Sequence, residues 1–297
     1  PVVRELICHC LRHWVHSYHI DGFRFDLASI LSRDRNGIII ENPPLIESIT
    51  EDQTLADTKL IAEAWDAAGA YQVGTFATSR WAEWNGRYRD DVRRYWRGDE
   101  NQTGNLATRL AGSSDLYAGE DRQPYHSVNF ITSHDGFTLN DLVCYDQKHN
   151  DPNAEHNQDG DNNNYSYNHG IEGPTEDAHV DSIRVKQIRN MLSTLFLSQG
   201  VPMLLAGDEC RRTQQGNNNA YCQDNAISWF DWNLPRINAE LVEFTKALIH
   251  QRLNNPTLRR RTFLQGGCSE QGVIPDVEWF SPDGSHVDWF SGEPSLI

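Results

Sequence analysis

Apolar and polar positions follow two different periods along this chain. Between residues 2 and 18, Val3, Leu6, Ile7, Leu11, Trp14, Val15 and Tyr18 recur at three- and four-residue spacing, which predicts a helix. The short apolar run Gly22 to Asp26 predicts a strand. "NPPLIESITEDQTL" predicts a helix start, with Asn42 as cap and prolines in the first turn. "TKLIAEAW" reads as a second strand ending in Glu63, and "WNGRYRDDVRRYWRG" as a turn and a charged helix. "HSVNFITSHDG" reads as a third strand ending in His134 and Asp135. A long helix from about Asp177 to Gln199 follows, with Ile183, Ile188, Leu192, Leu195 and Phe196 on its apolar side and Gly200 as terminator. "PMLLAGDE" predicts another strand and "AELVEFTKALIHQRL" another helix. After Pro256 the pattern changes to alternation, with a hairpin expected around Pro282, Asp283 and Gly284.

Strands that alternate with helices imply parallel strands joined by helical crossovers. Each strand carries its polar residues at its C-terminal end, where active sites of parallel α/β folds lie. The stretch "HNDPNAEHNQDGDNNNYSYNHGIEGP" is a long polar loop of the kind that, in a compact domain, is either functional or disordered.

Composition narrows the function. The 297 residues suffice for one large domain or two small ones. No apolar run is long enough to span a membrane. A net charge of −16 argues against a nucleic-acid partner and leaves a neutral polar substrate open. Six scattered cysteines read as buried free thiols in a reducing compartment. "CHCLRHWVHSYH" holds four histidines and two cysteines, but no fixed metal-finger spacing, so no metal site is expected there.

Asp26, Glu63 and Asp135 each end an apolar strand, at spacings of 63 − 26 = 37 and 135 − 63 = 72. A strand-helix-strand unit takes about 30 residues or more. The first two carboxylates therefore belong on adjacent strands and the third about two units further on, all in one mouth. Arg24 and Asp26, two apart on a strand, face the same way and read as a buried pair. Such a pair is often structural, but three carboxylates in one mouth need a reason. Glycoside hydrolysis supplies one: an acid protonates the leaving oxygen, and a carboxylate roughly 5–5.5 Å away attacks the sugar in retaining enzymes. Arg24 would hold Asp26 ionised. The apolar setting of Glu63, between Ala62 and Ala64, would raise its pKa as a general acid requires.

"DGFRFDLAS", "LIAEAWD" and "FITSHDGFTLNDLV" resemble conserved regions two, three and four of the α-amylase superfamily, glycoside hydrolase family 13, and "GVPMLLAGDE" resembles its eighth barrel strand. "DGDNNNYSYNHGIEGP", "QQGNNNAYCQDN" and "ISWFDW" are similar to signatures of its isoamylase and glycogen-debranching group. The resemblance runs from the first helix to about residue 260. It implies an α/β fold, a (β/α)8 TIM barrel. Residues 1–260 would form its C-terminal part, about strands 4–8, and 261–297 the start of an antiparallel C-terminal β-domain. The family's first conserved region is absent, so the chain reads as a fragment. A part barrel would expose strand edges and an apolar groove.

Carried onto this chain, the resemblance makes Asp26 the nucleophile, Glu63 the general acid/base and Asp135 the stabiliser of the transition state. Arg24 and His134 would line the same sugar subsite. Trp65, Tyr71, Trp81 and Trp84 are candidate stacking surfaces for glucose rings, with barrel packing as the alternative. Asn217, Asn218 and Asn219 are candidate ligands of glucan hydroxyls, with a plain loop role as the alternative. The implied reaction is hydrolysis of α-1,6 branch linkages in glycogen, starch or limit dextrins. The alternatives are an inactive glucan-binding chain and an α-1,4-acting hydrolase or transferase of the same family. The implied partner is a branched α-glucan, in a bacterial cytoplasm or a plastid, with no nucleic acid, no membrane and no cofactor. Calcium stays open through "DGDNNN", which lacks the closing Glu of an EF-hand loop.

Overall fold

The structure, a computed structural model, describes residues 2–119, 121–266, 275–281 and 283–289. Its centre is a five-stranded parallel sheet in the order β1-β2-β3-β4-β5, with each strand beside its neighbour in sequence. The strands are β1 (Gly22–Phe25), β2 (Lys59–Ala62), β3 (Trp81–Trp84), β4 (Ser127–Asn129) and β5 (Val201–Pro202). Such an order of consecutive parallel strands is that of neighbouring strands in a barrel. The chain supplies the C-terminal part of such a barrel.

Helix α1 (Val2–Tyr18) leads into β1, and α2 (Pro44–Thr50) precedes β2. Pro43, not Asn42, is the N-cap of α2, and it makes no side-chain cap bond. The prolines set the first turn by their fixed φ, and their missing N–H groups need no cap. Helix α3 (Gly86–Arg97) starts at Asn85, whose side chain accepts from Tyr88 N, and stops at Gly98 in the left-handed region. Helix α4 (Ala178–Leu197) is capped by Asp177, and α5 (Ala239–Asn254) packs against it.

Three strands depart from the sequence pattern. β3 is absent from it, because "WAEW" pairs bulky aromatics with a glutamate that a lone strand could not bury. Glu83 is fully buried here because Arg122 meets it at 2.6 Å and Gly74 N donates to it at 2.5 Å. β4 and β5 are shorter than expected, so His134 and Asp135 sit on a loop beyond β4 rather than on the strand end. Gly200 does not terminate α4, which ends at Leu197. It brings the chain against β4, where a Cβ would lie 2.8 Å from Asn129 Nδ2 at a φ of +107.

Two buried clusters flank the sheet. One gathers Ile49, Leu55, Leu60 and Trp81 under α1 and α2. The other gathers Tyr88, Phe137, Ile188, Leu192 and Leu195 under α3, α4 and α5. The expected part-barrel edge is present: Leu6, Trp14, Ile20 and Phe23 line an open groove beside β1. Cys8, Cys144 and Cys210 are buried, but Cys10 and Cys222 are exposed, a correction to the expectation of buried thiols. Cys10 stands two residues from buried Cys8, which on a helix turns it to the opposite side. Cys268 and Pro282 lie outside the described residues, as does much of the proposed β-domain. The hairpin around Asp283 and Gly284 is present, with Phe280 bridged antiparallel to His286.

Candidate active site

The register Phe25↔Ala62 makes Asp26 and Glu63 the next residues of two paired strands. The backbone locks them together: Glu63 N donates to Phe25 O at 3.0 Å, and Ala28 N to Glu63 O at 2.8 Å. Between those bonds Leu27 adopts the left-handed region, at φ 42 and ψ 46. That conformation costs a leucine about 1–2 kcal/mol. It also aims Leu27 N–H at Glu63 Oε2, 2.7 Å away.

Arg24 reaches both carboxylates. Its Nη1 donates to Asp26 Oδ1 at 2.6 Å, and its Nη2 stands 2.9 Å from Glu63 Oε2 as a charge contact without hydrogen-bond alignment. Its guanidinium carbon lies 4.2 Å from the centroid of the Trp84 ring, a cation–π contact. The two acids have opposite settings. The Glu63 side chain is 6% exposed and that of Asp26 69%. The expected buried Arg24–Asp26 pair is therefore corrected: Asp26 stands one residue past β1, at the cleft mouth. Burial pushes the Glu63 carboxyl above its usual range, and the nearby charges of Asp26 and Asp135 push the same way. Leu27 N–H and Arg24 oppose them.

Asp135 is exposed, and its Oδ2 lies 3.4 Å from His134 Nε2. The Trp84 ring meets His134 edge-on at 5.9 Å and Phe130 at 5.5 Å. Trp84 thus packs against both Arg24 and His134, and Arg24 takes one face of its ring, which favours the packing alternative over a sugar platform. Trp81 is corrected too. It is fully buried against Phe25 and Phe76, and its Nε1 donates to Thr50 Oγ1 at 2.8 Å. Trp65 and Tyr71 stack at 12° with centroids 6.2 Å apart, and Tyr71 is half exposed. That pair retains the geometry of a platform.

The asparagines behave differently from expectation. Asn218 is buried; its Nδ2 donates to Asp161 O and to Asn164 Oδ1, both at 2.8 Å, and its Oδ1 accepts from Asn150 at 2.8 Å. Its donors are spent inside the protein, so it braces loops rather than binding hydroxyls directly. Asn217 is likewise buried on Asn153, while Asn219 is partly exposed and donates to Asp159 at 2.9 Å. Asn218 O also accepts from Gly136 N at 3.0 Å, which fixes the residue after Asp135.

Other residues that build the site were not singled out from the sequence. Asp208, fully buried beyond β5, accepts from Leu139 N at 2.9 Å and from the Thr132 hydroxyl. It staples both ends of the loop that carries His134 and Asp135. Burial pushes its carboxyl up to about 7 against those two bonds. Arg33 grips Asp66 through two bonds of 2.6 and 3.1 Å, tying the loop after Asp26 to the loop after Glu63. Arg33 holds the Asp66 carboxyl down at about 2. The available signal was a polar residue just past each apolar run, "AGDE" and "AWD". Among the described residues no group of three or more His, Cys, Asp or Glu could hold a metal ion. No helix there is long and apolar enough to cross a membrane.

No protein-family model matches the chain. Isoamylase 3, chloroplastic, of Oryza sativa subsp. japonica is 52% identical over 266 residues, covering 89% of this chain and 34% of that protein. Glycogen debranching enzyme of an Enterobacter species is 46% identical over 300 residues, covering 100% of this chain and 44% of that protein. A pullulanase from an Anoxybacillus species, solved with maltotetraose, matches with a TM-score of 0.64 and 26% identity, over 88% of this chain and 35% of that one. The chain thus spans less than half the length of these relatives. Sequence and fold agree in what they resemble: the chain is similar to a part of isoamylase and glycogen debranching enzyme, and to a part of a pullulanase.

Proposed function

We propose that this chain carries the acid/base and nucleophile of a retaining glycosidase that cleaves α-1,6 branch linkages in glycogen, starch or limit dextrins. The observation that carries the reading is Arg24 bridging an exposed Asp26 and a buried Glu63 on adjacent strands. Glu63, whose carboxyl burial pushes above its usual range, donates its proton to the glycosidic oxygen. Asp26 attacks the anomeric carbon and forms a glycosyl ester as the leaving chain departs. Glu63, now ionised, takes a proton from water, and the hydroxide displaces Asp26 with net retention. Arg24 stabilises both carboxylates through the cycle. Asp135 and His134 grip hydroxyls of the same sugar, and Trp65 with Tyr71 offers a stacking face. The names of the relatives, a glycogen debranching enzyme and a chloroplastic isoamylase, support the α-1,6 choice and a glucan-storing compartment, bacterial cytoplasm or plastid. The β-domain is proposed to begin near residue 261.

The test is product analysis on glycogen limit dextrin, using the full natural protein that carries this chain. New linear malto-oligosaccharides are expected. Oligosaccharides shortened at α-1,4 bonds, with branches intact, would overturn the choice of bond. Binding without release would overturn the catalytic reading.

A further inference from the structure

Asparagine followed by glycine occurs twice in this chain, at Asn36-Gly37 and at Asn85-Gly86. The pair is chemically labile because glycine has no Cβ, so its backbone nitrogen can approach the preceding side-chain amide closely. The structure puts the two pairs in opposite settings. Asn85 is fully buried; its Nδ2 donates to Ser113 Oγ at 3.0 Å and to Ser127 Oγ at 2.8 Å, and its Oδ1 accepts from Tyr88 N at 2.9 Å. Both ends of that amide are held, and Gly86 N is fixed by the helix it opens. Asn36 is exposed, at the tip of a hairpin closed by the Arg33–Ile39 bridge. Its side chain makes one hydrogen bond among the described residues, from Nδ2 to Asp34 Oδ2 at 3.2 Å. Gly37 has φ +80, and no atom lies within 4 Å of where a Cβ would stand. Its N–H donates to Asp34 O at 3.0 Å, in a turn open to water.

This turn is tied to the rest of the molecule through one arginine. Arg33 Nη1 donates to Gly37 O at 2.6 Å, and the same guanidinium grips Asp66. Asp66 in turn accepts from Ala68 N at 2.9 Å and from Ala70 N at 3.0 Å, inside the loop between Trp65 and Tyr71. A change at Asn36 is therefore passed along the path Gly37, Arg33, Asp66 to the loop that carries the stacked aromatic pair.

We propose that Asn36 is a site of spontaneous deamidation, and that its conversion loosens this tie. The Gly37 nitrogen, its proton lost to hydroxide, attacks Asn36 Cγ. A C–N bond forms, the Cγ–Nδ2 bond breaks, and Nδ2 leaves as ammonia with a proton taken from water. The succinimide ring then adds water at either carbonyl and opens to aspartate or to isoaspartate. Either product sets a carboxylate beside that of Asp34, where an amide now donates, and like charges at that separation repel. Isoaspartate also lengthens the backbone by one carbon ahead of Gly37, which displaces the carbonyl that Arg33 holds.

The experiment ages the full natural protein in mildly alkaline buffer. Peptide mass spectrometry follows amide turned to acid at each asparagine, and hydrogen exchange follows residues 33–40 and 66–71. Asn36 should convert steadily, with isoaspartate among the products, while Asn85 stays intact. Exchange should become several-fold faster in both segments. Asn36→Gln, which would need a larger and slower-forming ring, should show neither change. An Asn36 that stays intact while an unfolded peptide of the same sequence converts would overturn the site, as would equal conversion at Asn36 and Asn85. Conversion with unchanged exchange at 66–71 would overturn the tie, and so would equally faster exchange in aged Asn36→Gln. None of these measurements involves glucan turnover, so their failure is distinct from failure of the glycosidase reading.

Discussion

On the β4–β5 side, the loop that carries Asp135 is set by side chains buried from water. Asp208 staples both of its ends, Asn218 holds its middle, and Asp141 fixes the 213–216 turn that leads to Asn218 by accepting from Gln214 N at 2.8 Å. On the β1–β2 side, Asp26 is exposed, and one arginine sets its relation to Glu63. That same side exposes Leu6 (61%) and Trp14 (46%) beside the edge strand β1. The difference teaches how each part of the site is held. Polar groups that are buried must all be matched, so they define one loop geometry. An exposed carboxylate is free to turn unless a charged partner holds it.

Asp208 gives the largest expected effect. Asp208→Ala leaves Leu139 N–H and the Thr132 hydroxyl unpaired in a buried site, a loss of about 3 kcal/mol. Asp208→Asn can still accept from Leu139 N and donate to Thr132, so the staple survives. The pH dependence has a definite sign. The folded carboxyl is raised from 3.8 to about 7, so the folded state keeps its proton longer than the unfolded chain. The contribution of Asp208 to wild-type stability therefore falls as pH rises between those values. Asn cannot ionise, so the stability of Asp208→Asn relative to wild type should grow across that window. Urea melts at both ends of the window measure it, and a gap that does not change with pH would sink the argument.

Arg24 comes next. Arg24→Gln removes the charge that joins Asp26 to Glu63, and glucan hydrolysis should fall about tenfold to a hundredfold. Arg24 lowers the Glu63 carboxyl against its burial, so removing it lets that group rise further. The alkaline limb of the pH–rate profile should move to higher pH. A limb that stays put, or moves down, would show that Arg24 does not govern Glu63.

The parallel sheet and its helices were legible because strand and helix periods alternate cleanly, and because the carboxylate spacings match strand-helix-strand units. β3 was hidden because its glutamate is made tolerable by Arg122, which lies far along the chain. The same reason hid the tasks of Trp84 and Asn218. A tryptophan near a sugar site reads as a platform until Arg24, sixty residues before it, is seen to take one face of its ring. An asparagine run after the last strand reads as a ligand set until Asn150 and Asn164 are seen to consume its amides. Residue type and spacing reveal which groups reach the cleft mouth. They do not reveal which of those groups are already occupied.

The central claim is that Glu63 is the general acid/base of a glucan-cleaving site, and Glu63→Gln in the full natural protein tests it most directly. Hydrolysis of limit dextrin should fall by about 10²–10⁴-fold, while binding of malto-oligosaccharides persists. Turnover close to that of wild type would contradict the assignment.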